Sequence, residues 1–351
     1  MKDKMVALIK VTVMKIHFFK HFSWLLKASF LLTFCLLPDR TFAAEKLIGL
    51  YSAQVMSMSL PWIAQEAGLF RKYNLDFQGV YIATTSIATA AILGGDADIV
   101  QTGGTGIARA FVQGATDLVI IGAVKNALTQ SILAGREIEK PEDLKGKKIG
   151  VSRLGSNSHY FTIQALRRFG LDAGRDISFV QSGGEFETLA ALSRGSIHAA
   201  TLSPPGDATA IARGFHYVVY GPDLRIPHAA VAFITRRSLI AKRSQVLGRF
   251  MLAMAEASKF LHTDKEFTYK VLAKQLRVED RKVLDAAYNA EIKVLEQRLE
   301  IKPEALQAIL EEVAQIDPRA KKVKPQDLID RRYLDAMEKS GFFDKLWVTK
   351  G

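Results

Sequence analysis

KLIGLYSAQVMSMSLPWIAQEAGLFRKYNLDFQGVY (Lys46–Tyr81) decides the fold class. Lys46–Tyr51 is a short apolar run that reads as a strand. Leu60–Tyr73 has helical spacing, with Pro61 in its first turn and Ile63, Ala64, Ala67 and Phe70 on one face. Asp76–Tyr81 is a second strand. A strand, an amphipathic helix and a strand in about 35 residues is a βαβ unit, and repetition of that unit builds a parallel sheet covered by helices.

The pattern continues outward. Helix Ile87–Leu93, strand Asp98–Thr102, helix Ile107–Gln113 and the wholly apolar strand Leu118–Val124 follow. Near Ala134–Glu139 the register changes, and Lys140-Pro141-Glu142-Asp143-Leu144 opens a second, similar series. That series reads as strand Lys148–Ser152, helix Tyr160–Phe169, strand Asp176–Gln181, helix Glu187–Arg194, strand Ala199–Leu202, helix Ala208–Arg213 and strand Tyr217–Tyr220. After Pro227 the strand Ala230–Thr235 returns to the first series. Ser244–Leu261, Glu266–Gln275 and most of Val278–Ile316 read as helices, and Tyr333–Leu346 as a closing helix. The expected organisation is α/β with two lobes, each a mostly parallel sheet flanked by helices: residues 44–134, an inserted lobe 135–226, and 227–351 back in the first.

The chain of 351 residues is 48% hydrophobic and 24% charged, the composition of a globular protein long enough for two cores. Residues 1–43 read differently. Lysines precede the apolar run FSWLLKASFLLTFCLL (Phe22–Leu37), and Pro38-Asp39-Arg40-Thr41-Phe42-Ala43 supplies a small-x-small site. This is the pattern of a cleaved secretory signal, cut after Ala43 or Ala44, with translation starting at Met1 or Met14. Its charge-free core, Ala28–Leu37, is too short to span a bilayer, which takes about 20 residues. The one cysteine, Cys35, lies inside it, so the mature chain has no thiol for disulfide, nucleophile or metal. Removing the signal lowers the formal charge from +12 to +7. The lysine clusters at 145–148 and 321–324 lack aromatic interleaving, which argues for solvated surface and against nucleic acid.

Six strand ends share a composition. They are Ser52-Ala53-Gln54, Thr84-Thr85-Ser86 and Thr102-Gly103-Gly104-Thr105 in the first series. In the second they are Gly155-Ser156-Asn157-Ser158, Ser182-Gly183-Gly184 and Ser203-Pro204-Pro205. Any one of these is a helix cap by default. Six at the carboxyl ends of strands in two sheets point to a ligand cleft, where helix starts offer N–H groups to an anion. Catalytic readings are weaker. His159, His198, His216, His228 and His262 have no metal-ligand spacing, and no hydrolase or phosphate-loop motif occurs. Glu185 and Glu187 lie near the cleft but read as helix-dipole partners rather than a general acid/base pair. Tyr51, Trp62, Tyr81, Tyr160 and Phe186 could stack on an organic ligand, though Trp62 reads as packing.

Pro61–Asp76 (PWIAQEAGLFRKYNLD), Gly94–Val100 (GGDADIV), Pro141–Val151 (PEDLKGKKIGV) and Ala190–Ala200 (AALSRGSIHAA) together resemble the solute-binding proteins of the nitrate/sulfonate/taurine uptake group. That group overlaps with the thiamine-pyrimidine-precursor-binding family. His198 stands where that pattern usually has aspartate. The resemblance spans the mature chain. It implies a type II periplasmic binding protein, hinged near Leu133–Gly135 and Asp223–Pro227. It also implies a periplasmic, monomeric subunit with no cofactor that hands a small anionic or organic solute to a membrane permease with an ATPase. The implied cleft residues are Gln54, Thr84, Thr85, Ser86, Thr102, Gly103, Gly104, Thr105, Ser156, Asn157, Ser158, Gly183, Gly184, Ser203, Pro204 and Pro205. The alternatives are an enzyme like the thiamine-pyrimidine synthases and a module presenting ligand to a membrane sensor. No residue set separates nitrate, bicarbonate, sulfonate, aromatic carboxylate or pyrimidine.

Overall fold

The computed structural model describes residues 43–83 and 85–348. The signal reading therefore lies outside the described residues. From Ala44 onward the chain forms one compact unit.

The first series begins with β1 (Glu45–Tyr51), α1 (Leu60–Glu66), α2 (Leu69–Lys72), β2 (Leu75–Tyr81) and α3 (Thr85–Gly94). It continues with β3 (Ile99–Thr102), α4 (Gly104–Val112) and β4 (Leu118–Leu128). The second comprises β5 (Ser131–Ala134), β6 (Lys148–Val151), α5 (Asn157–Arg167), β7 (Ser178–Gln181), α6 (Glu185–Ser193), β8 (Ala199–Leu202), α7 (Gly206–Ala212) and β9 (His216–Val219). After α8 (Gly221–Leu224), β10 (Ile226–Arg236) rejoins the first sheet. The helices α9 (Arg237–Thr263), α10 (Lys265–Leu276), α11 (Arg281–Glu291), α12 (Pro303–Ile316), α13 (Arg332–Lys339) and α14 (Phe342–Trp347) complete the chain.

The sheets run β2-β1-β3-β10-β4 and β7-β6-β8-β5-β9. In each, three parallel strands are followed by one antiparallel strand, β10 or β5, and then a fifth. The two sheets thus share one strand order, and the antiparallel member of each is the strand that has just crossed from the other. That strand was the part least legible beforehand. Ser131–Ala134 is only four residues long and follows β4 after Thr129-Gln130, so it reads as the tail of an apolar run. The first crossing therefore lies at residues 129–130, not at Leu133–Gly135, and residues 131–134 belong to the inserted sheet. The second crossing spans residues 220–225.

Two expected helices are broken in two. Gly68 (φ 70°) ends the helix that was expected to run to Tyr73, and Gly341 (φ 67°) divides the closing helix. Each takes a left-handed conformation that a side chain disfavours. Residues 295–302 lie outside helices within the span read as mostly helical.

Packing follows the strand alternation. Ile132 and Ala134 face one core of the second lobe, while Leu133 between them faces the other. In the first lobe Phe70, Phe77, Phe233 and Phe250 meet from α2, β2, β10 and α9. Their centroids lie 4.4 Å apart for Phe70–Phe77, 5.6 Å for Phe77–Phe250 and 5.5 Å for Phe233–Phe250. This cluster ties the long helix α9 to the sheet, which fixes the height of the strand ends above it.

Candidate functional site: a cleft between two sheet edges

The carboxyl ends of β1, β2 and β3 face those of β6, β7 and β8 across a cavity of about 530 Å³. Ser52, Tyr81, Gly103 and Thr105 line it from the first lobe. Ser152, Ser156, Asn157, Ser158, Gly184 and Ser203 line it from the second.

The geometry divides the expected site residues. Gly103, Thr105, Ser156, Asn157, Ser158, Gly184 and Ser203 line the cavity. Gln54, Thr102, Gly104, Gly183, Pro204 and Pro205 do not. Thr102 is fully buried, with its hydroxyl 2.7 Å from that of Ser52. Gly104, the first residue of α4, packs against α12 and β10, where a Cβ would come 2.9 Å from Ile309 Cδ1 and 3.1 Å from Ala229 Cβ. The Pro204 carbonyl accepts the Met56 N–H at 3.3 Å, a bond between the lobes. Thr84 lies outside the described residues, as do the side chains of Thr85 and Ser86.

Three serines form a closed hydroxyl triangle. Ser152, Ser156 and Ser158 Oγ atoms lie 3.0 Å from one another, and Ser158 Oγ accepts the Ser152 N–H at 3.0 Å. Ser156 also accepts the His159 N–H, so it caps α5 as well as lining the cleft. Asn157 Nδ2 donates to the Ala230 carbonyl of β10 at 2.8 Å. A Cβ on Gly103 would sit 2.5 Å from Asn157 Oδ1. Asn157 therefore joins the lobes, and the absence of a side chain at 103 makes room for it.

Charged residues that the strand ends did not reveal also line the cavity: Arg109, Lys125 and Arg153, with the amides of Gln113 and Gln130; Glu185, expected near the cleft, lines it too. Thr105 and Arg109 on α4 and Gln113, its C-cap, are spaced by four, so they share the face toward the cavity, while the apolar Ile107, Ala108 and Val112 pack into the core. That polar stripe was the available signal for Arg109. Lys125, on β4, is buried and ion-paired with Glu291 of α11, which also accepts from Thr129 Oγ1 at 3.2 Å. Leu93 and Leu154, both substantially exposed, add apolar walls.

Glu185, the first residue of α6, accepts the Ser203 N–H at 3.0 Å, and burial pushes its carboxyl up to about 7 against that bond. Asp207 nearby is raised to about 7, mainly by burial. On the far side of Arg109 a second hollow of about 340 Å³ lies between α5 and α12. There burial raises Glu312 to about 7, opposed by Arg109 at 3.6 Å.

The histidines hold structural positions. His159 Nδ1 accepts from Gly155 N at 3.1 Å, and its ring packs on Phe179. His228 is fully buried behind the cavity, where its Nε2 shares a 3.1 Å hydrogen bond with Thr105 Oγ1. Burial lowers its pKa to about 3. An imidazole so hard to protonate is a poor general base for the threonine. Tyr51 packs edge-on against Trp62, which is buried, and Tyr81 lies alongside Tyr51. Among the described residues no group of three or more His, Cys, Asp or Glu is placed to hold a metal ion.

A family model described as NMT1/THI5 like matches residues 59–266. A Brucella abortus protein named only as a candidate binding protein is 25% identical over 245 residues, covering 68% of this chain and 74% of its own. Solved structures share the fold at lower identity. The alkanesulfonate-binding protein of Xanthomonas axonopodis pv. citri, bound to MOPS, aligns with a TM-score of 0.68 at 20% identity, over 82% of this chain and all of its own. The periplasmic nitrate-binding protein of Synechocystis PCC 6803 aligns at 0.69 and 13%, over 87% of this chain and 91% of its own. A desulfurization enzyme aligns at 0.65 and 14%, over 84% and 99%. The two-sheet architecture is the periplasmic binding protein fold.

Proposed function

The chain belongs to the NMT1/THI5-like family, and on that premise we propose that it is the solute-binding subunit of an ABC uptake system. It captures a small organic anion between its lobes and delivers it to a membrane permease driven by an ATPase. The observation that carries this reading is the cleft itself: strand ends and helix starts of two like-ordered sheets face one cavity of about 530 Å³. That volume suits a small molecule.

An anion is favoured by the chemistry of the walls. Arg109 and Arg153 line the cavity, and the starts of α4, α5 and α6 present N–H groups toward it. Leu93 and Leu154 suit an apolar body. A solute touching both lobes stabilises their closed arrangement by its differential affinity for that state. Capture rather than catalysis is supported by the hydroxyl–imidazole pair found at the cavity among the described residues, Thr105–His228, whose imidazole is too weak a base. The secretory reading of residues 1–43, and the periplasmic address in the name of the nitrate-binding structure, support a periplasmic protein. We read it as acting as a monomer.

The test is a thermal-shift panel of nitrate, bicarbonate, alkanesulfonates, aromatic carboxylates and pyrimidines. The protein, from Ala44 onward, is first unfolded and refolded to strip carried-over solute. A ligand at 100 times its Kd adds about 2.7 kcal/mol, a rise of about 5 °C for a chain of this size. A flat panel, with isothermal titration equally silent, overturns the reading.

A further inference from the structure

Glu185 is the feature that anion capture leaves unexplained. A cavity built for an anion has a carboxyl in its wall, at the start of α6. Among the described residues no Lys, Arg or His lies within ion-pair distance of it, and its hydrogen-bond partner is Ser203. The cation nearby on the cavity wall, Lys125, is held by Glu291.

The surroundings are short of positive charge. Glu185, Asp207 and Glu291 act on one another electrostatically, against the single ammonium of Lys125. Gln130 adds a second, independent sign. The residue is 6% exposed, it lines the same cavity, and its amide oxygen meets no donor. Buried acceptors left unmatched are costly, and the cavity is the open side from which a donor can come.

We propose that the cleft selects solutes bearing a cationic, hydrogen-bond-donating nitrogen, with Glu185 as the residue that receives it. The proposal rests on the capture reading and narrows it: the acid group of the solute meets the helix starts and the arginines, and its ammonium meets Glu185. Selection of this kind is strong because an analogue lacking the donor leaves the acceptor unpaired in a closed site.

The groups facing Glu185 set the pH dependence. They are Asp207, from α7, Glu291 of α11 with its partner Lys125, Tyr81 from β2, Glu187 on its own helix, and Arg109 and Arg153, which line the same cavity. Only the ionised carboxylate pairs with an ammonium. With the carboxyl raised to about 7, the preference for nitrogen grows from pH 6 to pH 8. A protonated Glu185 donating to an anion gives the reverse trend.

Matched pairs test this by isothermal titration: taurine against ethanesulfonate, β-alanine against propanoate, and 4-(aminomethyl)benzoate against 4-methylbenzoate. The expected result is binding at least about tenfold tighter for the amine in a pair that binds, rising with pH. Glu185→Gln brings that ratio close to one. Equal or weaker binding of every amine overturns the proposal and leaves anion capture standing. So does silence from all three pairs when a nitrogen-free anion shifts the melting temperature. Silence from both panels overturns both readings. The wild-type ratio decides the matter even if the variant does not fold.

Discussion

Replacing Lys125 with methionine tests the buried ion pair that joins β4 to α11. Lys125 has 3% of its side chain exposed and Glu291 has none. Methionine fills most of the lysine's volume, so the change removes the charge and little packing. It leaves the Glu291 carboxylate with Thr129 as its remaining hydrogen-bond donor, and Oε2 already has no partner. Breaking one side of a buried pair costs about 3–5 kcal/mol, because an uncompensated charge stays inside. With a urea slope of about 3 kcal/mol/M, the unfolding midpoint falls by at least about 1 M. The double variant Lys125→Met/Glu291→Leu removes both charges and recovers most of the loss, leaving about 1 kcal/mol for the orphaned Thr129 hydroxyl. Urea titrations of the two variants beside the parent protein distinguish these cases. A Lys125→Met protein no less stable than the double variant refutes the argument.

Phe250→Ala opens a cavity among Phe70, Phe77 and Phe233 and is expected to cost about 3–5 kcal/mol; a loss below 1 kcal/mol in chemical unfolding means the cluster is not tightly packed. Glu312 is raised to about 7 when folded, above its ordinary 4.5, so the folded form keeps a proton that the unfolded chain loses. Stability should therefore fall as pH rises from about 4.5 through 7, and Glu312→Gln should flatten that part of the profile; an unchanged profile contradicts the burial. Ser156→Ala/Asn157→Ala removes a cap and the interlobe bond to Ala230. Ligand affinity should drop about fivefold or more, at about 1 kcal/mol per lost bond, while circular dichroism stays native; unchanged affinity removes the start of α5 from the site.

Legibility in the sequence followed the range of the interactions concerned. The βαβ alternation, the helix starts and the polar strand ends depend on residues within a few positions of one another. They were read from Lys46–Tyr81 and from six short clusters. The strand β5 was missed because its partners, β8 and β9, lie about 70 and 85 residues away, and four apolar residues give no period to measure. The failure at Thr102 and Gly104 has another origin. Successive residues leaving a strand point to opposite sides, so a cluster named as a block must include side chains that face away from the cleft. Alternation separates Thr102 from Gly103, whereas Gly104 and Thr105 already belong to α4 and are divided by the turn of the helix; Gly103 and Thr105 line the cavity.

The charged residues of the cleft show why composition at strand ends is an incomplete guide to chemistry. Arg109 lies a turn and a half inside α4, Lys125 is near the end of β4, and Gln130 lies at the first crossing. These positions reach the cavity only because the two crossings bring the sheet edges face to face. Hydroxyls and glycines at helix starts are required by the fold whatever the solute, since they cap helices and let backbones approach. The residues free to vary with the solute are those on which capping makes no demand. On the proposed reading the strand ends hold a generic anion seat. The choice among solutes then rests with Arg109, Lys125 and Gln130, away from the caps, together with Arg153 and Glu185, which stand beside strand ends but whose charges no cap requires; of these Glu185 is the carboxyl among cations and amides. A solute that met only the helix starts would leave that carboxyl, raised to about 7 by burial, without a counter-charge in the closed cleft. The identity of the group that meets Glu185 therefore constrains the solute more tightly than the identity of its acid.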